Sequence, residues 1–163
     1  MKALSYQPPW GYLCATVKDI ENRDWPLPRN FYLPQRIYIH QSKIWNSGTK
    51  RFGPIDADFI RQRLPVGRQS EIMDHISWMY ETYRARRLND PDILARVWGF
   101  GAIIGEVDIV GQVHTTDIGH PATKSPWFIG TYGFIQRNPV LYDTPIPYKG
   151  HQRFFKVNID DRS

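Results

Sequence analysis

The chain has a single cysteine, Cys14, among 163 residues, so no disulfide can form within it and a cysteine-based metal site lacks partners. Its five histidines, His40, His75, His114, His120 and His151, show none of the close pair spacings that metal sites use on helices; neither a metal nor a cofactor is expected. No window approaches the roughly 20 apolar residues that span a bilayer. Met1 to Pro9 holds no uninterrupted apolar run of signal-peptide length. These absences predict a soluble, cytoplasmic protein that enters no membrane. Gly99-Phe100-Gly101 with Gly105 is no dinucleotide fingerprint, because the strand, turn and helix order is missing, and there is no phosphate loop. Internal repeats and low-complexity tracts are also absent. The length suits one domain, residues 1–163, able to bury about 70% of the surface its unfolded chain exposes.

What the chain does have is unevenly placed positive charge. Net charge is +5, yet the segment from Arg29 to Arg87 carries eleven basic residues against five acidic ones, +6 in all, leaving the remainder near neutral. A basic face of that size favours polyanions such as nucleic acid through counterion release.

Local patterning divides the chain into strand-like ends and a helical middle. Lys2 to Tyr6 reads as a strand halted by Pro8-Pro9, Trp10 to Val17 as a short helix, and Asp24 to Pro34, with three prolines, as a loop. Arg36 to His40 is β-branched and aromatic, hence a strand. An insert of about 43–97 reads as helical, with amphipathic stretches at Asp56 to Leu64 and Ser70 to Leu88. In the second, Ile72, Ile76, Met79, Tyr80 and Tyr83 form a core-facing stripe, and Arg84, Arg86 and Arg87 end the helix favourably against its dipole. Trp98 to Val113 returns to strand, its glycines marking a bulge or close backbone approach. Phe128 to Gln136 and His151 to Ile159 are the last strands, joined through turns at Pro139 and Pro145-Ile146-Pro147. Asp160 to Ser163 reads as a frayed polar end. Strands flanking a helical insert predict an α+β fold whose mixed or antiparallel sheet closes into a β-barrel, since sheet edges need closure or cover.

The chemistry concentrates in Lys18-Asp19-Ile20-Glu21-Asn22-Arg23-Asp24-Trp25-Pro26. Extended from Lys18 to Arg23, the chain puts Asp19, Glu21 and Arg23 on one face, and Lys18 joins them only through a bend. A desolvated Lys18 loses its proton more readily and Glu21 can orient a water, so the two can act as a general-base pair; the plainer reading is a structural salt bridge. Arg23 can hold a carboxylate or phosphate with two hydrogen bonds, or simply fix Glu21. Trp10, Trp25 and Trp127 lie near proline, glycine or charge, where an indole can stack on a base, although tryptophans as a rule are core. His40 and Ser42 end a strand aimed at the same region; His40 can donate to a carbonyl or act as an acid, against the reading of a satisfied structural histidine. Glu106 is a secondary candidate for a carboxylate in that cleft.

The order Ala3-Leu4-Ser5, Pro9-Trp10, Lys18 to Arg23, Trp25-Pro26 and Ile37-Tyr38-Ile39-His40 resembles the N-terminal half of an ASCH domain. Gly101 to Val107, Ser125-Pro126-Trp127-Phe128, Gly130, Tyr132-Gly133-Phe134 and Pro145-Ile146-Pro147 with Lys149-Gly150 resemble its C-terminal half, so only the helical insert stands outside the likeness. The family signature GxKxxExR is met at Lys18, Glu21 and Arg23. Thr16 stands where its glycine would be, altering the turn that presents Lys18. Gln41 replaces the alanine of close relatives, altering the cleft floor.

The resemblance implies a PUA-like β-barrel whose cleft holds RNA or a modified nucleoside, with Lys18, Glu21, Arg23, Trp25, His40, Ser42 and Trp127 as ligand-binding residues. Trp25 or Trp127 would stack on the base and the basic insert would extend the contact to phosphates. Some relatives are similar to ribonucleases, and others to amidohydrolases that deacylate N4-acetylcytidine. The small amidohydrolases pair the lysine with a nucleophilic threonine three residues on. Glu21 occupies that place here, so an enzyme would need water activated by Lys18 and Glu21, with His40 or Ser42 holding the carbonyl oxygen. A protein-interaction domain using the Ser70 to Leu88 helix is the third possibility. On the binding reading, Lys18→Ala is expected to weaken binding without unfolding the protein.

Overall fold

The structure, a computed structural model, describes residues 1–45, 54–85 and 90–159. Six strands form one mixed sheet: β1 (Lys2–Tyr6), β2 (Ile20–Arg23), β3 (Gln35–Gln41), β4 (Ala102–His114), β5 (Tyr132–Pro147) and β6 (Phe154–Lys156), in the spatial order β2-β5-β4-β3-β1-β6. Only β1 and β3 are parallel; their register sets Ser5 opposite His40 and Tyr6 opposite Gln41. The helices are α1 (Trp10–Cys14), α2 (Pro54–Arg61), α3 (Gln69–Arg84) and α4 (Pro91–Trp98).

Side chains alternate along the strands as a pleat requires. Leu4, Tyr6, Ile37, Ile39 and Ile104 face the main core, which also takes Leu13, Ile60, Ile72, Ile76 and Met79 from the helices. Ala3 and Ile103 face a smaller cluster on the other side, with Tyr38, Tyr142, Tyr148, Phe155 and Val157. The stripe expected on α3 is therefore core, its half-buried Tyr80 and Tyr83 packing on Trp45 at 5.1 and 5.7 Å between ring centroids.

The hydrogen-bonded ladder begins at β2 and ends at β6, and among the described residues no pairing joins those two strands. Aromatic rings lie between them instead: Trp25, just past β2, meets Phe134 of β5 edge-on at 5.3 Å and Phe154 of β6 at 5.8 Å.

Several sequence-based boundaries move. Trp98 ends a helix rather than opening a strand: Asp90 accepts from the Asp92 amide as N-cap, Pro91 follows it, and Gly99 takes the left-handed conformation at φ 77°. Pro139, Pro145 and Pro147 lie within β5 instead of marking turns. Beyond Ile135 this strand pairs only with β4, so a proline's missing donor costs nothing on the open side. The expected bulge is real, and Gly105 sits where a Cβ would collide with the Val140 carbonyl. Strand β6 is only three residues long, and α2 starts two residues before its expected position. Arg86, Arg87, Leu88 and Asp160 to Ser163 fall outside the described residues.

Candidate functional site

The motif is assembled where α1 hands the chain to β2. Thr16 donates its hydroxyl to the carbonyls of Tyr12 (2.8 Å) and Leu13 (3.3 Å), and the Lys18 amide donates to Leu13 O at 2.8 Å, so the turn folds back on the helix end. Thr16 thus ties the turn down through its side chain. From that turn Lys18 Nζ donates to Glu21 Oε2 at 2.8 Å, while Arg23 Nη2 reaches Glu21 Oε1 at 3.1 Å and the Ser5 carbonyl at 2.9 Å. The buried Cys14 thiol donates to Glu21 Oε2 at 3.4 Å. Glu21 and Arg23 share a strand face and Lys18 joins through the bend, as the alternation predicts. Asn22, on the other face, staples the 127–130 loop: its Nδ2 donates to Trp127 O, and its Oδ1 accepts from the amides of Ile129 and Gly130.

Lys18 and Glu21 are 5% and 6% exposed, so electrostatics decides their charge state. Burial pulls the Lys18 pKa down, but the Glu21 carboxylate more than offsets it and Lys18 stands above its ordinary value. Burial likewise pushes Glu21 up, and the Lys18 and Arg23 cations bring it below its ordinary value. The Cys14 thiol is pushed well up by burial and stays protonated, as does the Tyr6 phenol, which accepts from Gln136 Nε2 at 3.0 Å. The desolvation that would free the Lys18 proton is thus opposed by its counter-charge, and the geometry matches the plainer reading of the pair, a salt bridge. Lys18→Ala is also no clean test of binding, because it uncouples a buried ion pair.

The sign of the pH dependence follows. Glu21, depressed, contributes stability present above its ordinary value of 4.5 and lost as pH falls through its lower folded pKa. Lys18, raised, contributes stability present below 10.5 and lost as pH rises through its higher folded pKa. Chemical denaturation at stepped pH should show wild type losing its advantage over Glu21→Gln below about pH 4.5, because a protonated Glu21 resembles glutamine. An advantage that persists at pH 2 would contradict this assignment.

The triad opens on a cleft of about 1600 Å³ bounded by β1, β2, the 147–153 segment, Trp127 and the helices α2 and α4. All seven predicted ligand-binding residues line it: Lys18, Glu21, Arg23, Trp25, His40, Ser42 and Trp127. Their availability differs. Trp127 is 4% exposed and part of the wall, whereas Trp10 and Trp25 are half-buried. Trp10 meets Phe59 of α2 edge-on and has the Lys18 ammonium 5.7 Å from its ring centre. Trp25 lies between two guanidinium groups, with Arg23 at 5.7 Å and Arg153 at 4.9 Å from its centre. Ser42 donates to Ile44 O. Both ring nitrogens of His40 are engaged, with Ser5 Oγ and Tyr148 O.

Two expectations fail by position. Gln41 is not the cleft floor; it is buried, with its side chain against Gly11 and Gly99. Glu106 belongs to a separate surface network with Arg36 and the Tyr142 hydroxyl. Of the insert's described cations, Arg61, Arg68 and Arg84 each pair with a carboxylate three residues away. Among the described residues, the exposed cations that line the cleft are Lys43, Lys149 and Arg153. Sequence reasoning missed Ser5, Asn22, Lys43 and Phe59 as cleft residues. The register of β1 on β3, which brings Ser5 to His40, has no local signal.

No protein-family model matches this chain, and no curated protein does. Among the described residues, no helix is long and apolar enough to cross a membrane, and no group of three or more metal-ligating side chains converges.

Proposed function

We propose that the chain is an ASCH-type, PUA-like β-barrel domain that binds RNA or a modified nucleoside in this cleft. The observation that carries the reading is a buried Lys18–Glu21 ion pair, joined by the half-buried Arg23, opening on a wide cleft that combines half-buried indoles with an exposed cationic rim. The barrel part is supported by the aromatic contacts of Trp25 across the two sheet edges.

The triad suits recognition better than proton transfer. Lys18 keeps its charge and, with one N–H given to Glu21, has two more for a ligand oxygen. Glu21 is held ionised and accepts from three donors, which leaves it a poor base. Trp25 is the base platform, and Arg153 over its ring moves aside or stacks on the nucleobase's other face. Lys43, Lys149 and Arg153 take the phosphates.

The test is fluorescence-anisotropy titration of a labelled single-stranded RNA at several salt concentrations, with tryptophan quenching by cytidine and N4-acetylcytidine alongside. Affinity should fall as salt rises, by about 0.7 log units per log unit of salt for each phosphate contact. RNA affinity that ignores salt, together with no quenching by either nucleoside, would refute the proposal.

A further inference from the structure

We infer that Ser5 and His40 form a nucleophile and base pair in the cleft, fitted to acyl transfer from a carboxylic ester or amide. The parallel register of β1 and β3 sets the two residues opposite each other, and the His40 ring meets Phe155 of the smaller cluster edge-on. Ser5 Oγ and His40 Nδ1 are 3.0 Å apart, and His40 Nε2 is 2.8 Å from the Tyr148 carbonyl. That carbonyl only accepts, so Nε2 carries the ring proton. In the neutral ring Nδ1 is then a bare lone pair, and the Ser5 hydroxyl donates to it. A hydroxyl held by an imidazole that a third group fixes in tautomer is the signature of an activated serine.

The surroundings agree with a working arrangement. His40 is 2% exposed, whereas Ser5 is partly exposed and lines the cleft, so the base is shielded and the nucleophile open. Burial lowers the His40 pKa, keeping the ring neutral and able to accept. Gly150 lies directly over the pair: a Cβ there would sit 2.9 Å from His40 Nδ1 and 3.0 Å from Ser5 Oγ. Only glycine leaves that space free. Arg23, bound to the Ser5 carbonyl, brings positive charge beside the nucleophile.

In the first half-reaction Ser5 Oγ bonds to the acyl carbon, its proton passes to His40 Nδ1, and the bond from that carbon to the leaving oxygen or nitrogen breaks as His40 returns the proton to it. In the second, water attacks the acyl-serine, gives its proton to Nδ1, and the carbon–Oγ bond breaks with the proton restored to Ser5. The Nε2 proton stays on Nε2, donated to the Tyr148 carbonyl, throughout. None of this uses Lys18 as a base or requires RNA, so it stands or falls separately from the binding proposal.

The experiment treats the purified protein with a small alkyl fluorophosphonate, which forms an Oγ–P bond with loss of fluoride, and maps the adduct by peptide mass spectrometry. Hydrolysis of p-nitrophenyl acetate is followed in parallel. Expected are an adduct on Ser5, none in Ser5→Ala of unchanged melting temperature, and labelling in His40→Gln slowed by about 100-fold or more. Absence of a Ser5 adduct, together with ester hydrolysis equal to that of Ser5→Ala, overturns the inference; so does an adduct mapping elsewhere, or a folded His40→Gln labelled at the wild-type rate. If His40→Gln does not fold, the Ser5→Ala comparison decides alone.

Discussion

Glu21→Gln is expected to cost about 3–5 kcal/mol of stability at pH 7, and more than Lys18→Met costs. The asymmetry follows from the triad's wiring. Glu21 is the one anion against two cations, with each carboxylate oxygen engaged by a different cation. Glutamine preserves the shape but leaves Lys18 and Arg23 facing each other without the charge between them, one of them nearly sealed from water. Methionine at 18 fills the volume of the lysine stem and leaves Glu21 still paired with Arg23. Because the three groups act as a unit, the double variant should cost less than the sum of the two singles by about 0.5–3 kcal/mol. Urea denaturation of the four proteins is the measurement. If Lys18→Met is the more damaging single change, or the two effects simply add, Glu21 is not the centre of this network.

The local features were legible where one residue decides the backbone. The charge pattern of Lys18 to Arg23 placed Glu21 and Arg23 on one face, and β2 keeps that alternation. The Ile72, Ile76 and Met79 spacing marked a buried helix face that α3 buries. Helix α4 went unseen as a separate element although Asp90, Pro91 and Gly99 are the expected cap, first-turn and stop residues. Trp98 and the apolar residues after it read as one strand-like run and hid that stop. The prolines of β5 misled because a proline signals a turn only where both edges of a strand are paired, and pairing partners are not a local property.

The site was legible in its residue types and illegible in its states. Neighbouring opposite charges predict an ion pair, but whether burial frees the lysine's proton depends on how many counter-charges the fold delivers to the same spot. Cys14 and Arg23 converge on Glu21 from α1 and β2 and help keep it ionised, and the Glu21 carboxylate holds Lys18 charged against burial and the Arg23 cation. His40 has the same lesson on a longer scale: as a lone histidine it suggested a structural residue, and its partners, Ser5 and Tyr148, lie 35 and 108 positions away.

Neutralising the cleft rim in the triple variant Lys43→Gln, Lys149→Gln, Arg153→Gln is expected to weaken single-stranded RNA binding by roughly 100-fold at 0.1 M salt, since each phosphate contact contributes about fivefold there. The three side chains are exposed, so the fold should survive their loss. Lys43 is aimed by Gly101, whose missing side chain lets the lysine stem lie over the backbone, and Arg153 is held over Trp25. A control variant, Arg61→Gln, Arg84→Gln, Lys124→Gln, removes the same net charge from residues that do not line the cleft. If diffuse positive charge alone attracted the RNA, the two triple variants would lose affinity equally. If the cleft holds it, the rim variant should also flatten the salt dependence by about two log units per log unit of salt while the control keeps the wild-type slope. Equal losses and equal slopes would leave the triad a structural staple and move any polyanion contact elsewhere on the molecule.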